Sequence, residues 1–306
     1  MNTQSRRAYV TLVASREYLP GARCLLRSLS MVGAAAPLVC LVSPELECEA
    51  RSVLQGAGSL AAFELIGAEH LPFSDEFVRR HGNEAIERES PMTKGSKPAF
   101  HKRLRNFSKL RLWELEQFEK VVFLDADALV IKNIDILFEY PAFLAAPNLY
   151  AGLADFHRMN SGVFTARPSR QMFFSMLVEL DRPGAYWQRT DQSFLEFYFG
   201  TRQGSILGLP YTYNTLQYLW FNMPELWRWE TIHVIHYQFE KPWAEASFES
   251  SEASRLRRVL LAPLVDLWRV VDRIGVLPAS ALLDCCAYVQ RCQKELTHLR
   301  ELVPHG

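Results

Sequence analysis

The stretch Val121-Val-Phe-Leu-Asp-Ala-Asp-Ala-Leu-Val-Ile131 decides how the rest of the chain is read. Apart from its two aspartates it is entirely apolar and rich in β-branched residues, the pattern of a buried strand. Residues two apart on a strand point to one face, so Asp125 and Asp127 can converge on one cation. Burying two like charges in such company costs several kcal/mol each unless a metal or hydrogen-bond donors neutralise them. A hard divalent ion, Mg2+ or Mn2+, held by oxygens and sharing the phosphate oxygens of a ligand, resolves that cost. The plainer reading is a strand end turning into solvent, where Asp-x-Asp caps a loop.

Working outward, residues 109–120 (KLRLWELEQFEK) read as a helix, with Leu110, Trp113, Leu115 and Phe118 on overlapping faces. Residues 8–14 form a strand, 21–33 a helix, 37–42 a second strand and 45–58 a second helix, a βαβα opening that predicts a parallel sheet. Residues 70–108 are polar, carry Pro and Gly, and are long for a connection, as active-site loops and lids are. Strands follow at 143–147, 161–166 and 231–237, with helices at 169–180 and after Asp191 and a loop at 207–214. From residue 246 the chain turns to amphipathic helices, with Leu256, Val259, Leu260, Leu264 and Leu267 near helical spacing. The expected division is one α/β domain over 1–245, its central sheet mostly parallel, and a helical extension over 246–306. The extension's apolar face suits packing on the core, a homodimer contact or, with Arg255, Arg257 and Arg258 beside it, peripheral membrane contact.

The 306 residues carry 34 basic and 34 acidic side chains, so the broad positive field of a nucleic-acid binder is lacking. The first residues hold too short an apolar run for a signal segment, and no stretch approaches the roughly 18 apolar residues of a membrane span. The six cysteines form no CxxC pair and read as reduced, mostly buried thiols, which points to the cytoplasm.

Six blocks, in order, give the chain a resemblance to the glycogenin-like branch of the family 8 glycosyltransferases from about Ala8 to Trp243: AYVTLVASREYLPGARCLLRSL, SKLRLWELEQFEKVVFLDADALVIKNIDILFE, NSGVF, TDQSFL, LPYTYN and HYQFEKPW. The resemblance implies a retaining enzyme of the GT-A fold, a single Rossmann-like domain that uses a nucleotide diphosphate sugar and Mn2+. It implies that Asp125 and Asp127 hold the metal, that His236 is the third ligand, and that Ala126 lies near the uridine ribose. It gives Lys241 and Lys109 to the diphosphate or donor sugar, and Leu12, Ala14, Ser15 and Tyr18 to the uracil and ribose, with Tyr18 stacking on the base. Asn160, Ser161 and Gly162 match donor-sugar contacts, and Asp191 with Gln192 the pair beside the anomeric carbon. The placement of Leu12, Ala14, Ser15 and Tyr18 at the end of the first strand agrees independently with the rule that open α/β sheets bind ligands beyond the carboxyl ends of their strands.

The reaction so implied carries a hexose, glucose first and galactose or N-acetylglucosamine next, from a UDP-sugar to a hydroxyl on a glycan, lipid-linked sugar, small molecule or protein. Negative charge grows on the departing diphosphate, so a metal and Lys241 waiting there supply the main electrostatic term. Asp191 either attacks the anomeric carbon or positions the sugar for a same-face path, and the latter is preferred. The chain departs from the pattern where Gln238, Phe239 and Glu240 replace the family's glycine, and where Gln188, Arg189 and Thr190 precede Asp191. The nucleotide-gripping arginine has no clean match; Lys102, Arg103 and Arg105 are candidates, or a solvated basic face. Three alternatives stay open: self-glucosylation at Tyr211, Tyr213 or Tyr218, an inactive sugar-nucleotide-binding scaffold, and a nucleotidyltransferase, which the lack of a glycine-rich loop after the first strand disfavours.

Overall fold

A computed structural model describes residues 6–56, 62–81, 103–150, 152–182, 190–203, 206, 208–244, 252–278, 281 and 283–292. Most of the segment read as a lid, including Lys102, lies outside these residues, as do Gln188, Arg189 and the end of the tail.

Strands β1 (Arg7–Val13), β2 (Leu38–Val42), β3 (Phe63–Gly67), β4 (Lys120–Leu124), β6 (Leu144–Pro147) and β7 (Met159–Ala166) form one sheet in the order β3-β2-β1-β4-β7-β6. The pairs β3–β2, β2–β1 and β1–β4 are parallel, while β7 runs antiparallel to both β4 and β6. Period-two alternation divides the side chains between two cores. Ala8, Val10, Val39, Leu41, Val121 and Phe123 face Phe107, Trp113, α4 (Arg170–Leu180) and α5 (Asp191–Gln203). Tyr9, Val13, Leu38, Cys40, Val122 and Leu124 face α1 (Leu19–Met31) and α2 (Glu47–Gln55). A sheet covered on both faces needs apolar residues throughout, which is why these strands read as unbroken apolar runs.

Three expectations are corrected. The run 121–131 is not one strand: β4 ends at Leu124, and β5 (Ala128–Val130) belongs to a second sheet of order β5-β9-β8, with β8 at Thr215–Leu216 and β9 at Val234–His236. The acids therefore lie on the turn between two sheets, Asp127 buried and Asp125 partly open. The expected helix over 109–120 is a 3-10 segment, Phe107–Glu114, tied to the next layer where Ser169 N–H donates to Trp113 O at 2.8 Å. Within 70–108, a helix α3 (Asp75–His81) is anchored by buried Phe77, which stacks on Phe73 and meets Phe107 edge-on.

The helical tail packs on the domain. Helix α6 (Glu252–Ile274) buries Leu260, Leu261, Leu264, Leu267, Trp268 and Val271 against Leu129, Trp220, Ile235 and Tyr237. Arg23 of α1 grips Asp272 with two hydrogen bonds of 2.9 and 2.6 Å, and Tyr237 OH donates to Leu264 O at 2.7 Å. Of the apolar residues read on this helix, Leu260, Leu264 and Leu267 are covered by the chain itself, while Val259 stays exposed. Among the described residues no helix is long and apolar enough to cross a membrane.

Candidate active site

In the large sheet the chain runs outward from β1 in one direction and from β4 in the other, so the topological switch lies between them, where open α/β sheets leave a crevice. Asp125 is the first residue past β4. Its N–H donates to Gly162 O at 2.8 Å, and Ala128 N–H donates back to Asp125 O at 2.9 Å, closing the turn. Helix α1 comes close because Gly21 has no side chain: a Cβ there would lie 2.4 Å from Ala126 O. Pairing of β5 with β9 sets Ala128 opposite His236, and Tyr237 N–H donates to Asp127 O at 2.9 Å. A residue more than a hundred positions away is thereby brought to the acid turn.

Ligand atoms of Asp125, Asp127 and His236 all lie within 4.8 Å of one another. His236 Nε2 is 3.2 Å from Asp127 Oδ1 and 3.8 Å from Asp125 Oδ2. Asp125 keeps 29% of its side chain accessible against 8% for Asp127, so it forms the open lip of the cluster. Two carboxylates and one imidazole are a donor set suited to Mn2+, with Mg2+ served by the oxygens, so these residues fit a resident divalent ion.

Two buried lysines hold this arrangement. Lys109 Nζ lies 3.0 Å from Asp125 Oδ1 and 2.8 Å from Asp191 Oδ2, and donates to Ser161 O at 3.2 Å. Burial opposes its charge, but Asp125 and then Asp191 outweigh burial and keep the ammonium above the ordinary lysine range. Lys241 Nζ donates to Asp127 Oδ2 and, at 2.8 Å, to Tyr237 O. Burial pushes the Asp127 carboxyl up, yet Lys241 and then His236 prevail and hold it well below the usual carboxylate range. For Asp125 burial wins over Lys109 and, with Asp127 nearby, the carboxyl is raised.

The residues matched to the donor sugar have internal partners as well. Ser161 Oγ donates to Asp191 Oδ2 at 3.2 Å, and Ser161 N–H donates to Gln192 Oε1 at 3.2 Å, which pins the start of α5 to β7. Asn160 Oδ1 accepts from Gly162 N–H, and a Cβ on Gly162 would lie 2.3 Å from His236 Cε1. At the end of β1, Leu12 packs against the core and Ala14 and Ser15 are buried; Ala14 O accepts from Arg105 Nη1 at 3.4 Å. Arg105 is the basic candidate of that region whose side chain is described; Lys102 and the Arg103 side chain lie outside the described residues. The Tyr18 ring stands edge-on to Trp243, with Lys241 Nζ 5.9 Å from its centroid. Tyr18 therefore sits beside the acid turn, and its hydroxyl is raised by burial and then by Asp127 and Asp125. Where the family's glycine is missing, Phe239 takes a positive φ of 67° and buries its ring beside Tyr150 and Tyr218.

The sequence profile of glycosyl transferase family 8 matches residues 9–247, which include every residue just described. The chain belongs to this family. Among its family 8 relatives, a putative UDP-glucuronate:xylan alpha-glucuronosyltransferase 5 of Arabidopsis thaliana is 30% identical, with 89% of this chain and 43% of that protein aligned. Galactinol synthase 4 of the same plant is 26% identical over 86% of this chain and 80% of its own length. Glycogenin of Neurospora crassa is 27% identical over 89% of this chain and 36% of its own. The chain thus spans less than half the length of the first and third of these relatives. The glycosyltransferase GlyE of Streptococcus pneumoniae superposes with a TM-score of 0.56 at 17% identity, over 96% of this chain and 64% of that one. An active-site mutant of LgtC gives 0.55 at 18%, over 83% and 95%. At such identities these two establish the fold, a GT-A glycosyltransferase fold, as the family 8 match implies.

Reading the sequence did not single out Gly21, Asn148 or Trp243, whose Nε1 donates to Glu17 O at 2.7 Å and so docks the Lys-Pro-Trp loop on the 3-10 turn Arg16–Tyr18 ahead of α1. Asn214 entered only as part of a shared loop pattern. For Asn148 there was no signal at all.

Proposed function

We propose that the chain is a retaining, Mn2+-dependent hexosyltransferase that takes a UDP-sugar as donor, glucose first and galactose or N-acetylglucosamine next, and passes the sugar to a hydroxyl acceptor. The observation that carries the reading is the Asp125–Asp127–His236 triangle flanked by Lys241 on one side and by Asp191 on the other. Three carboxylates against two ammonium groups leave one net negative charge at the site. A divalent ion reverses that sign, and a site of net positive charge is matched to a diphosphate. When bound, such an ion stabilises charge on the departing diphosphate. Lys241 supplies a further positive charge on that side, which Tyr18 and Trp243 also wall.

Asp191 Oδ2 is engaged by both Lys109 and Ser161, which holds the carboxylate in one orientation. That favours Asp191 as the group that orients the sugar and steadies positive charge at the anomeric carbon, and supports the same-face route. The acceptor is taken to be a separate molecule. Tyr218 OH is tied to Glu240, Tyr211 OH donates to Leu226 O at 2.8 Å, and the third candidate, Tyr213, is buried with its ring stacked on His233, an arrangement that favours an external acceptor over self-glucosylation. The names of the relatives add glucuronate and galactinol chemistry to the donors and acceptors worth testing.

Purified protein incubated with Mn2+ and a panel of UDP-sugars, with and without acceptors, is expected to release UDP from one sugar, and Asp127→Asn to lower that turnover by about 10³-fold or more while the protein stays folded. Undiminished turnover in Asp127→Asn overturns the metal-site reading. A gain of hexose mass on the protein itself would replace the external acceptor by self-modification.

A further inference from the structure

Two ion pairs tie helix α6 to the rest of the domain, and they go to different places. Asp272, toward its C-terminal end, is gripped by Arg23 of α1. Arg257, near its N-terminal end and buried, donates from Nε to Glu240 Oε1 at 3.2 Å, and Glu240 is the residue directly before Lys241. The other oxygen of Glu240 accepts from the hydroxyl of buried Tyr218, so both carboxylate oxygens are engaged. A buried guanidinium needs an acceptor beside it, and here that acceptor stands on the loop of the candidate site. The loop bends sharply at this point. Phe239 holds a φ of 67°, a left-handed conformation that strains any residue with a Cβ. Gln217, buried just after β8, spans the bend: its Nε2 donates to Gln238 O and, at 3.2 Å, to Glu240 O, the carbonyls on either side of Phe239. The Phe239 ring stacks on Tyr218, the same tyrosine that holds Glu240, with centroids 5.5 Å apart. Beyond Lys241, the Trp243 ring lies against Trp268 of α6 with centroids 5.3 Å apart. Helix α6 thus reaches the loop on both sides of Lys241.

Lys241 does not suffice to hold this loop. Its ammonium closes the loop on Tyr237 O and on Asp127, and any ligand it meets competes for those two bonds. The backbone must then be kept in place by contacts that the lysine does not make. We propose that Arg257, acting through Glu240, fixes the path of residues 237–243, so that helix α6 is a working part of the site and Arg257 and Glu240 are positioning residues for Lys241. The bearing on a diphosphate rests on the function proposed above, whereas the hold on the loop does not. The proposal also gives a reason for the bend at Phe239: with residue 240 tied to α6 and residue 241 turned to the acid cluster, adjacent side chains are drawn to opposite sides of the loop.

The test compares, in the full chain, Arg257→Met with Arg23→Met, which cuts the other anchor of the same helix. Hydrogen exchange without ligand, read by mass spectrometry, is expected to show the segment 237–244 exchanging about tenfold faster in Arg257→Met and as in the wild type in Arg23→Met. Equal exchange of that segment in the two variants overturns the proposal. UDP affinity in the presence of Mn2+, read by titration calorimetry, is expected to fall about tenfold in Arg257→Met, and wild-type affinity there overturns the role at the site. In a Lys241→Met background the same substitution is expected to change UDP affinity by no more than about twofold, because its effect passes through the lysine. A second full loss in that background is what independent damage to the fold gives, and it overturns the route through Lys241. Should Arg257→Met fail to fold, Glu240→Gln, which keeps an acceptor for Arg257 but removes the charge, carries the same comparison with the same expected directions. Should the segment open as expected while the wild type binds no UDP, the hold on the loop stands and the donor reading falls.

Discussion

The two buried lysines of the site have the same charge and nearly the same exposure, but different company. Lys109 is enclosed by two carboxylates, Asp125 and Asp191, and by Ser161, on the side of the large sheet. Lys241 has one carboxylate, Asp127, and one backbone carbonyl, on a loop that leaves the small sheet. A cation compensated by two anions is part of the framework, since removing it strands two buried charges. A cation compensated by one acid that a metal also needs can exchange partners. Under the proposed function, the difference gives Lys109 the part of holding the site together and Lys241 that of meeting the departing diphosphate.

Substituting both lysines tests that contrast most severely. Lys109→Met is expected to destabilise the protein by about 3–5 kcal/mol in denaturant titration, because Asp125 and Asp191 lose their shared cation. Lys241→Met is expected to cost about 10²-fold in turnover with a smaller loss of stability, since Asp127 keeps His236. Equal destabilisation by the two substitutions would break the comparison.

The two acids should differ in sign in the metal-free protein. Asp127 is held below its unfolded value of about 3.9, so its ionised form stabilises the fold above that pH, and the benefit is lost as pH falls toward the folded value. Asp125 is raised, so ionising it costs stability, and the cost grows as pH climbs from the unfolded value through the folded one. Thermal melts at pH 7 should therefore show Asp125→Asn raising the melting temperature and Asp127→Asn lowering it, by roughly 2–4 °C per kcal/mol. Shifts of the same sign would show that the lysines do not divide the acids between them.

The smallest effect sharpens the scoring of the others. Exposed Cys48 and Cys286 should react first with a thiol reagent, whereas Cys40, buried in β2 with its thiol pushed up to about 12, should react only when the sheet opens. Faster Cys40 labelling in Lys109→Met than in Lys241→Met would mark the first as a global defect. Equal rates would point to local damage in both.

Much of the large sheet was legible because its strands are buried on both faces and its first helices are amphipathic, signals carried within a dozen residues. The helix Asp75–His81 was legible too and went unread: Ser74 Oγ caps Phe77 N–H at 3.0 Å, acids fill its first turn and bases its last. The 3-10 form of Phe107–Glu114 was not legible, since its apolar spacing suits either helix and its closure comes from Ser169 in another layer. Nor was the break at Asp125, which depends on Gly162 accepting its N–H.

By itself the sequence determined a doubly covered α/β sheet, an acid pair at a strand end and, through six ordered blocks, the family to which the chain belongs. Those features depend on short-range periodicity and on residue types at fixed spacing. Only the tertiary structure decided that the acids lie on a turn between two sheets, that each is bound to its own lysine, that the C-terminal helix covers the small sheet, and that three asparagines stand behind His236. Each of these depends on which strands pair and in what register, and on how buried polar groups satisfy one another across distances in sequence that local pattern does not reach.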